Sequence, residues 1–86
     1  MINWEALADE LKSAGFKFED TSGLGFQAYN DSIEIRRTTK KLKIRPLPEI
    51  GIEFKTNIDL ELLDNKLVLK IAEIHTRIVR ANTEEV

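Results

Sequence analysis

Apolar residues fall at two different periods along this chain, and the change from one to the other marks its elements. Trp4, Leu7, Ala8 and Leu11 recur at the spacing of one helix face, which predicts a helix from about Trp4 to Ala14. Asn3 precedes it and can accept hydrogen bonds from the free amides of the first turn. Glu5 lies where the helix dipole favours an anion. Lys12 suits the opposite end, and Gly15 supplies a left-handed stop.

Beyond Gly15 the period drops to two. "FKF" is a short alternating run, followed by the turn-rich "EDTSGLG"; "FQAY" leads into Asn30-Asp31, and "SIEIRR" alternates again. "TTK" then joins that run to "KLKIR", where Leu42 and Ile44 share a face. Short polar links between alternating runs predict hairpins. Pro46 and Pro48 should end the ladder, because neither can donate a backbone hydrogen.

From Ile50 to Leu62 every even position is apolar or Thr, and every odd one is Gly, Asn or charged. Such alternation over so long a stretch predicts a strand as far as Leu62. At ~3.3 Å per residue it would extend roughly 43 Å, against a diameter of roughly 31 Å for a compact chain of this length. The strand must therefore coil, bend near Gly51 or Thr56-Asn57, or project into a partner.

The C-terminal third admits two readings. As a strand paired across "LDNK", Leu67, Leu69 and Ile71 would mirror Leu62, Leu60 and Ile58. As a helix, Leu60, Leu63, Leu67, Ile71, Ile74 and Ile78 would form one face. The strand reading is favoured here, although "AEIHTRIVRAN" then needs a bulge near Ile71-Ala72 or a change to helix. Residues 82–86 are expected to fray.

Eighty-six residues make one domain, 1–86, with a modest core and little material for a catalytic cleft. No cysteine is present, so disulfides and thiolate metal sites are excluded. A zinc site around the single His would need three carboxylates. Neither a cofactor nor a metal site is expected. Acids within "MINWEALADELKSAGF" argue against a signal peptide, and no apolar run reaches membrane-spanning length, so a cytoplasmic location without membrane contact is the default.

Charge is distributed unevenly. The segment 36–45, "RRTTKKLKIR", holds six bases (Arg36, Arg37, Lys40, Lys41, Lys43, Arg45) and no acid, while the other 76 residues carry all 15 acids and 7 bases. If Leu42 and Ile44 face the core, Lys41, Lys43 and Arg45 face outward together, beside Glu34 and Arg36. This basic ribbon is the candidate partner-binding site, for an acidic protein surface or, alternatively, nucleic acid. The net charge of −2 and the lack of interleaved aromatics weigh against nucleic acid. Lysines protecting a sheet edge are the structural explanation of the same ribbon.

Three further motifs are weaker. "GLGF", Gly23 to Phe26, is the tetrapeptide of the carboxylate-binding loop in PDZ domains. The resemblance stops there, since neither the glycine pattern nor the histidine position that follows in that family is found, and two loop glycines serve positive backbone angles. His75, flanked by Glu73 and Arg77, lacks an obvious catalytic partner. Asp59, Glu61 and Asp64 form a loose acidic group without a calcium-loop pattern.

The expected architecture is thus α+β: an N-terminal helix packed on a twisted, mostly antiparallel sheet of hairpins or a meander, with a C-terminal helix as the alternative for the last segment. Trp4, Leu7 and Leu11 should meet Leu42, Ile44, Ile52, Phe54, Ile58 and Leu60. The expected role is non-catalytic: a protein-binding or adaptor module, or a small inhibitor-like regulator, self-associating through the over-long strand.

Overall fold

The first helix, α1, spans Trp4–Ser13 and begins as its sequence requires. The Asn3 side chain accepts from the Ala6 amide at 3.2 Å, and Glu5 and Lys12 occupy the first and last turns. Gly15 follows with φ +95°, a conformation that favours glycine. Leu7 and Leu11, one face of this helix, are wholly buried; each such leucine contributes roughly 1.5–3 kcal/mol of apolar burial.

The computed structural model describes residues 2–20, 25–47, 54 and 56–83. After α1 come β1 (Lys17–Asp20), β2 (Phe26–Tyr29), β3 (Ile33–Arg37), β4 (Lys41–Pro46) and β5 (Thr56–Asp59), then a 3-10 turn over Leu60–Leu62 and the helix α2 (Asn65–Thr83). The five strands form one antiparallel meander in the order β1-β2-β3-β4-β5. This is the expected α+β arrangement, with the C-terminal helix.

Period-two alternation sets the register. Phe18 lies opposite Ala28, Ala28 opposite Ile35, Ile35 opposite Ile44, and Leu42 opposite Ile58, which stacks the apolar positions on one face. Both helices cover that face. Trp4 and Phe18 meet the buried Phe26 at ring-centroid distances of 5.4 Å and 5.0 Å. The β2–β3 turn is held by Asn30, whose Oδ1 accepts from the amides of Ser32 and Ile33, both at 2.8 Å.

Three expectations need correction. The alternation of residues 50–62 does not continue as strand: β5 stops at Asp59, and Leu60–Leu62 turn back as 3-10 helix, with the Leu60 amide donating to Lys40 O at 2.9 Å. Most of the earlier part of that stretch, and Ile52 with it, lies outside the described residues. The mirror pairing of residues 67–71 with 58–62 is absent, because residues 65–83 are helical. "LDNK" is a helix start: Asp64 Oδ1 accepts from the Leu67 amide at 2.8 Å, an N-cap. Helix α2 also includes Asn82 and Thr83, which bond back to Ile78 O and Val79 O. As expected, Pro46 ends β4, opposite Ile33, while Pro48 lies outside the described residues.

α2 turns Val68, Ala72, Thr76 and Val79 to the core. The louder stripe of Leu67, Ile71, Ile74 and Ile78 lies about a third of a turn away, at ~100° per residue. Expected core residues Trp4, Phe54, Ile58 and Leu60 are half-buried against the rest. The two helices start together: Asn3 N donates to Asn65 Oδ1 at 2.9 Å, and Asn65 Nδ2 donates to Asn3 O at 3.0 Å.

Candidate functional site

The face of the sheet opposite the helices carries the alternate set of side chains. Its rows follow from the register: Gln27 opposite Arg36, Tyr29 opposite Glu34, Glu34 opposite Arg45, Arg36 opposite Lys43, Lys43 opposite Asn57, and Lys41 opposite Asp59. Lys17 and Glu19 add the β1 edge. Five cations and three acids thus share the described part of a face that no helix covers.

Four of the six ribbon residues, Arg36, Lys41, Lys43 and Arg45, stand together there, as their alternation with Ile35, Leu42 and Ile44 requires. The other two do not. Arg37 is opposite Leu42, on the helix side, with its guanidinium 3.9 Å from the centre of the Trp4 ring. Lys40 lies in the β3–β4 turn, where Thr38 N donates to Lys41 O at 2.8 Å.

Glu34 is the centre of the open face and its most enclosed member, with a side chain only 7% exposed. Its neighbours on the adjoining strands bury it. Arg45 donates through Nε at 2.9 Å and Nη2 at 3.3 Å, Gln27 donates through Nε2 at 2.6 Å, and Arg36 lies 3.7 Å away. The hydrogen bonds from Arg45 outweigh desolvation and hold the Glu34 carboxyl below its ordinary range. The same bonds raise Arg45 above the usual guanidinium value. Sequence reading overlooked this node, which the observed register creates by setting Glu34 opposite Arg45.

The cations are unequally engaged. Lys41 approaches Asp59 at 4.0 Å, whereas Lys43 has no ion-pair partner among the described residues. A hollow of about 240 Å³ lies beside it, bounded by Glu34, Arg36, Arg45, Thr56 and Asn57. At the other end of the face the Tyr29 hydroxyl donates to Glu19 Oε1 at 3.3 Å. The Glu19 charge, with some desolvation, raises the Tyr29 phenol above its ordinary value.

Other candidates resolve into structural roles. His75 is half-buried, with Nδ1 2.7 Å from Ile71 O, Nε2 2.7 Å from Thr56 Oγ1, and the Phe54 ring edge-on to it. It ties α2 to β5; Glu73 pairs with Arg77 instead. Asp59 and Asp64 serve the Lys41 pair and the α2 cap. Among the described residues no group of three or more His, Cys, Asp or Glu is placed to hold a metal ion. Of "GLGF", Gly25 is described. Its φ is +119°, and an added Cβ would lie 2.6 Å from Arg37 O, so backbone packing accounts for it.

A hollow of about 760 Å³ lies between α1 and α2, with Phe16, Leu69 and Ala72 beneath a rim that includes Asp9, Glu10 and Arg77. Asn30 Nδ2 donates to Thr76 Oγ1 at 3.2 Å and Arg80 Nη2 to Asp31 Oδ1 at 3.1 Å, which ties the β2–β3 turn to this part of α2. Among the described residues no helix is long and apolar enough to cross a membrane. Comparison of the chain with protein-family models, with curated proteins and with solved structures found no match.

Proposed function

We propose that this chain is a non-catalytic binding module that receives an acidic protein surface on its open sheet face. One observation carries the reading: Arg36, Lys41, Lys43 and Arg45 project side by side from β3 and β4, where no helix covers the sheet. A hydrated charge on a bare face has no need of such clustering, and a partner's carboxylates would meet several cations at once.

Size sets the character of the encounter. Five strands at ~4.8 Å spacing make a face about 19 Å across, and at ~3.4 Å per residue about 17 Å long, or roughly 320 Å², smaller than the ~800 Å² per partner of a standard stable interface. A transient, electrostatically steered complex fits such a face, with association rates that fall as salt screens it. The interspersed acids Glu19, Glu34 and Asp59, with the net charge of −2, disfavour a nucleic-acid backbone. The expected over-long strand does not run past Asp59, so the reading rests on the charged face rather than on self-association through that strand.

Capture from a nuclease-treated extract, comparing the wild-type chain with Arg36→Glu/Lys43→Glu, tests the proposal. Proteins of low isoelectric point should be retained by the wild type at low salt, released by added salt, and missed by the variant. Identical retention by the two chains would refute it. Retention that disappears on nuclease treatment would transfer the face to nucleic acid.

A further inference from the structure

Among the described residues, the apolar stripe on the outer side of α2 is left largely uncovered. Leu67, Ile74 and Ile78 are 40%, 46% and 41% exposed, and Ile71 between them is half-buried. Their spacings of four, three and four residues are those of a coiled-coil seam, with Leu67 and Ile74 at one of its two apolar positions and Ile71 and Ile78 at the other. Of these four the core takes only Ile71, in partial burial, because α2 already buries Val68, Ala72, Thr76 and Val79. The stripe residues line none of the hollow between the helices either.

The border of the stripe discriminates among occupants. On its solvent side Lys66, Lys70, Glu73 and Arg77 succeed one another, and Glu73 is taken by Arg77. Lys66 and Lys70 have no ion-pair partner among the described residues. A second copy fits this border poorly. Antiparallel pairing that sets Leu67 against Ile78 and Ile71 against Ile74 would bring Lys70 of one copy towards Arg77 of the other. A parallel pair would offer these cations only His75 and Asn82. A lipid surface fits poorly too: the stripe is narrow, wholly aliphatic, and has no Trp or Phe among its members.

We infer that α2 carries a second docking surface, for an amphipathic helix whose apolar seam is flanked by acids. Leu67, Ile71, Ile74 and Ile78 form the seam and Lys66 and Lys70 select the partner's charge. Because the stripe lies in the helix layer and the cationic face lies on the far side of the sheet, the two surfaces can be occupied together. This surface stands independently of the sheet-face proposal.

The probe is a labelled synthetic helix of about three heptads, with Leu and Ile at the seam and Glu at the flanking positions. A sister peptide carries Lys at those flanks. Fluorescence anisotropy should show the acidic peptide binding and the basic one not. Ile74→Lys should abolish binding with the helical circular dichroism intact, and Ile78→Lys serves if that variant is unstable. Lys66→Glu/Lys70→Glu should weaken the acidic peptide about tenfold, roughly the effect of reversing two exposed pairs, and admit the basic one. No binding of either peptide, or equal binding of both, overturns the inference. So does a dimer of the protein alone that Ile74→Lys dissolves in sedimentation, or Ile74-dependent attachment to phosphatidylserine vesicles without peptide preference.

Discussion

Glu34→Gln isolates the charge at the centre of the open face while preserving the shape of the side chain. The substituted amide keeps one oxygen acceptor but turns an NH2 group towards Arg45 or Gln27, both of which only donate to Glu34. Hydrogen bonds to a charged group contribute about 1.5–3 kcal/mol each. Here they are discounted because the Arg45 side chain is 60% exposed and water can replace part of what it loses. A net cost of about 2 kcal/mol remains, which for a chain of this size lowers the melting temperature by about 8–16 °C at pH 7. The pH dependence has a definite sign. The folded-state pKa of Glu34 lies below its ordinary value of 4.5, so the stabilisation is fully present above that value and is lost as pH falls through the folded-state pKa. Thermal melts followed by circular dichroism should therefore show the gap between wild type and variant closing in acid, where a protonated Glu and a Gln are near equivalents. A gap below about 0.5 kcal/mol at pH 7, or one of equal size at pH 7 and pH ~2.5, would refute the assignment of Glu34 as a charged node.

Three other changes test separate parts of the structure. Gly25→Ala meets both a left-handed φ and the carbonyl of Arg37, and should cost at least about 2 kcal/mol in a urea titration. Asp64→Ala removes the N-cap of α2 and should cost about 1 kcal/mol, with Asp64→Ser recovering most of it. Glu19→Gln should move the phenolate titration of Tyr29, the single tyrosine, downward towards the ordinary value, as read by ultraviolet absorbance; an unmoved curve would show that Glu19 is not its main perturbant.

The fold from α1 to β4 was legible because each apolar run is closed by its own turn chemistry. Asn3 and Gly15 bracket α1, Asn30 builds the β2–β3 turn, and Thr38 the next. The C-terminal third misled because positions 58, 60, 62, 67, 69 and 71 satisfy a strand period as readily as the neighbouring leucines and isoleucines satisfy a helical one. What decided the matter was quieter: Asp64 as a cap, and a buried stripe containing Ala72 and Thr76, neither conspicuously apolar. The helical alternative grouped Leu67, Ile71, Ile74 and Ile78 on one face, and of these loudest helix signals Leu67, Ile74 and Ile78 are left exposed. Of the site, alternation correctly placed Arg36, Lys41, Lys43 and Arg45 on one face. The same alternation puts Arg37 with Ile33 and Ile35 on the helix side, over Trp4, which the ribbon reading passed over, but it could not show that the flanking side chains would enclose Glu34.

The pair of hydrogen bonds between Asn3 and Asn65 closes a loop of 62 residues. At a ribosomal pace of about 5–20 residues per second, Asn65 is made roughly 3–12 s after Asn3. Throughout that interval the nascent meander can zip neighbour to neighbour, while half of its greasy side waits for a roof that has not been translated. A chaperone with an appetite for exposed aliphatics would find its opportunity in those seconds, and it should lose its grip once α2 arrives.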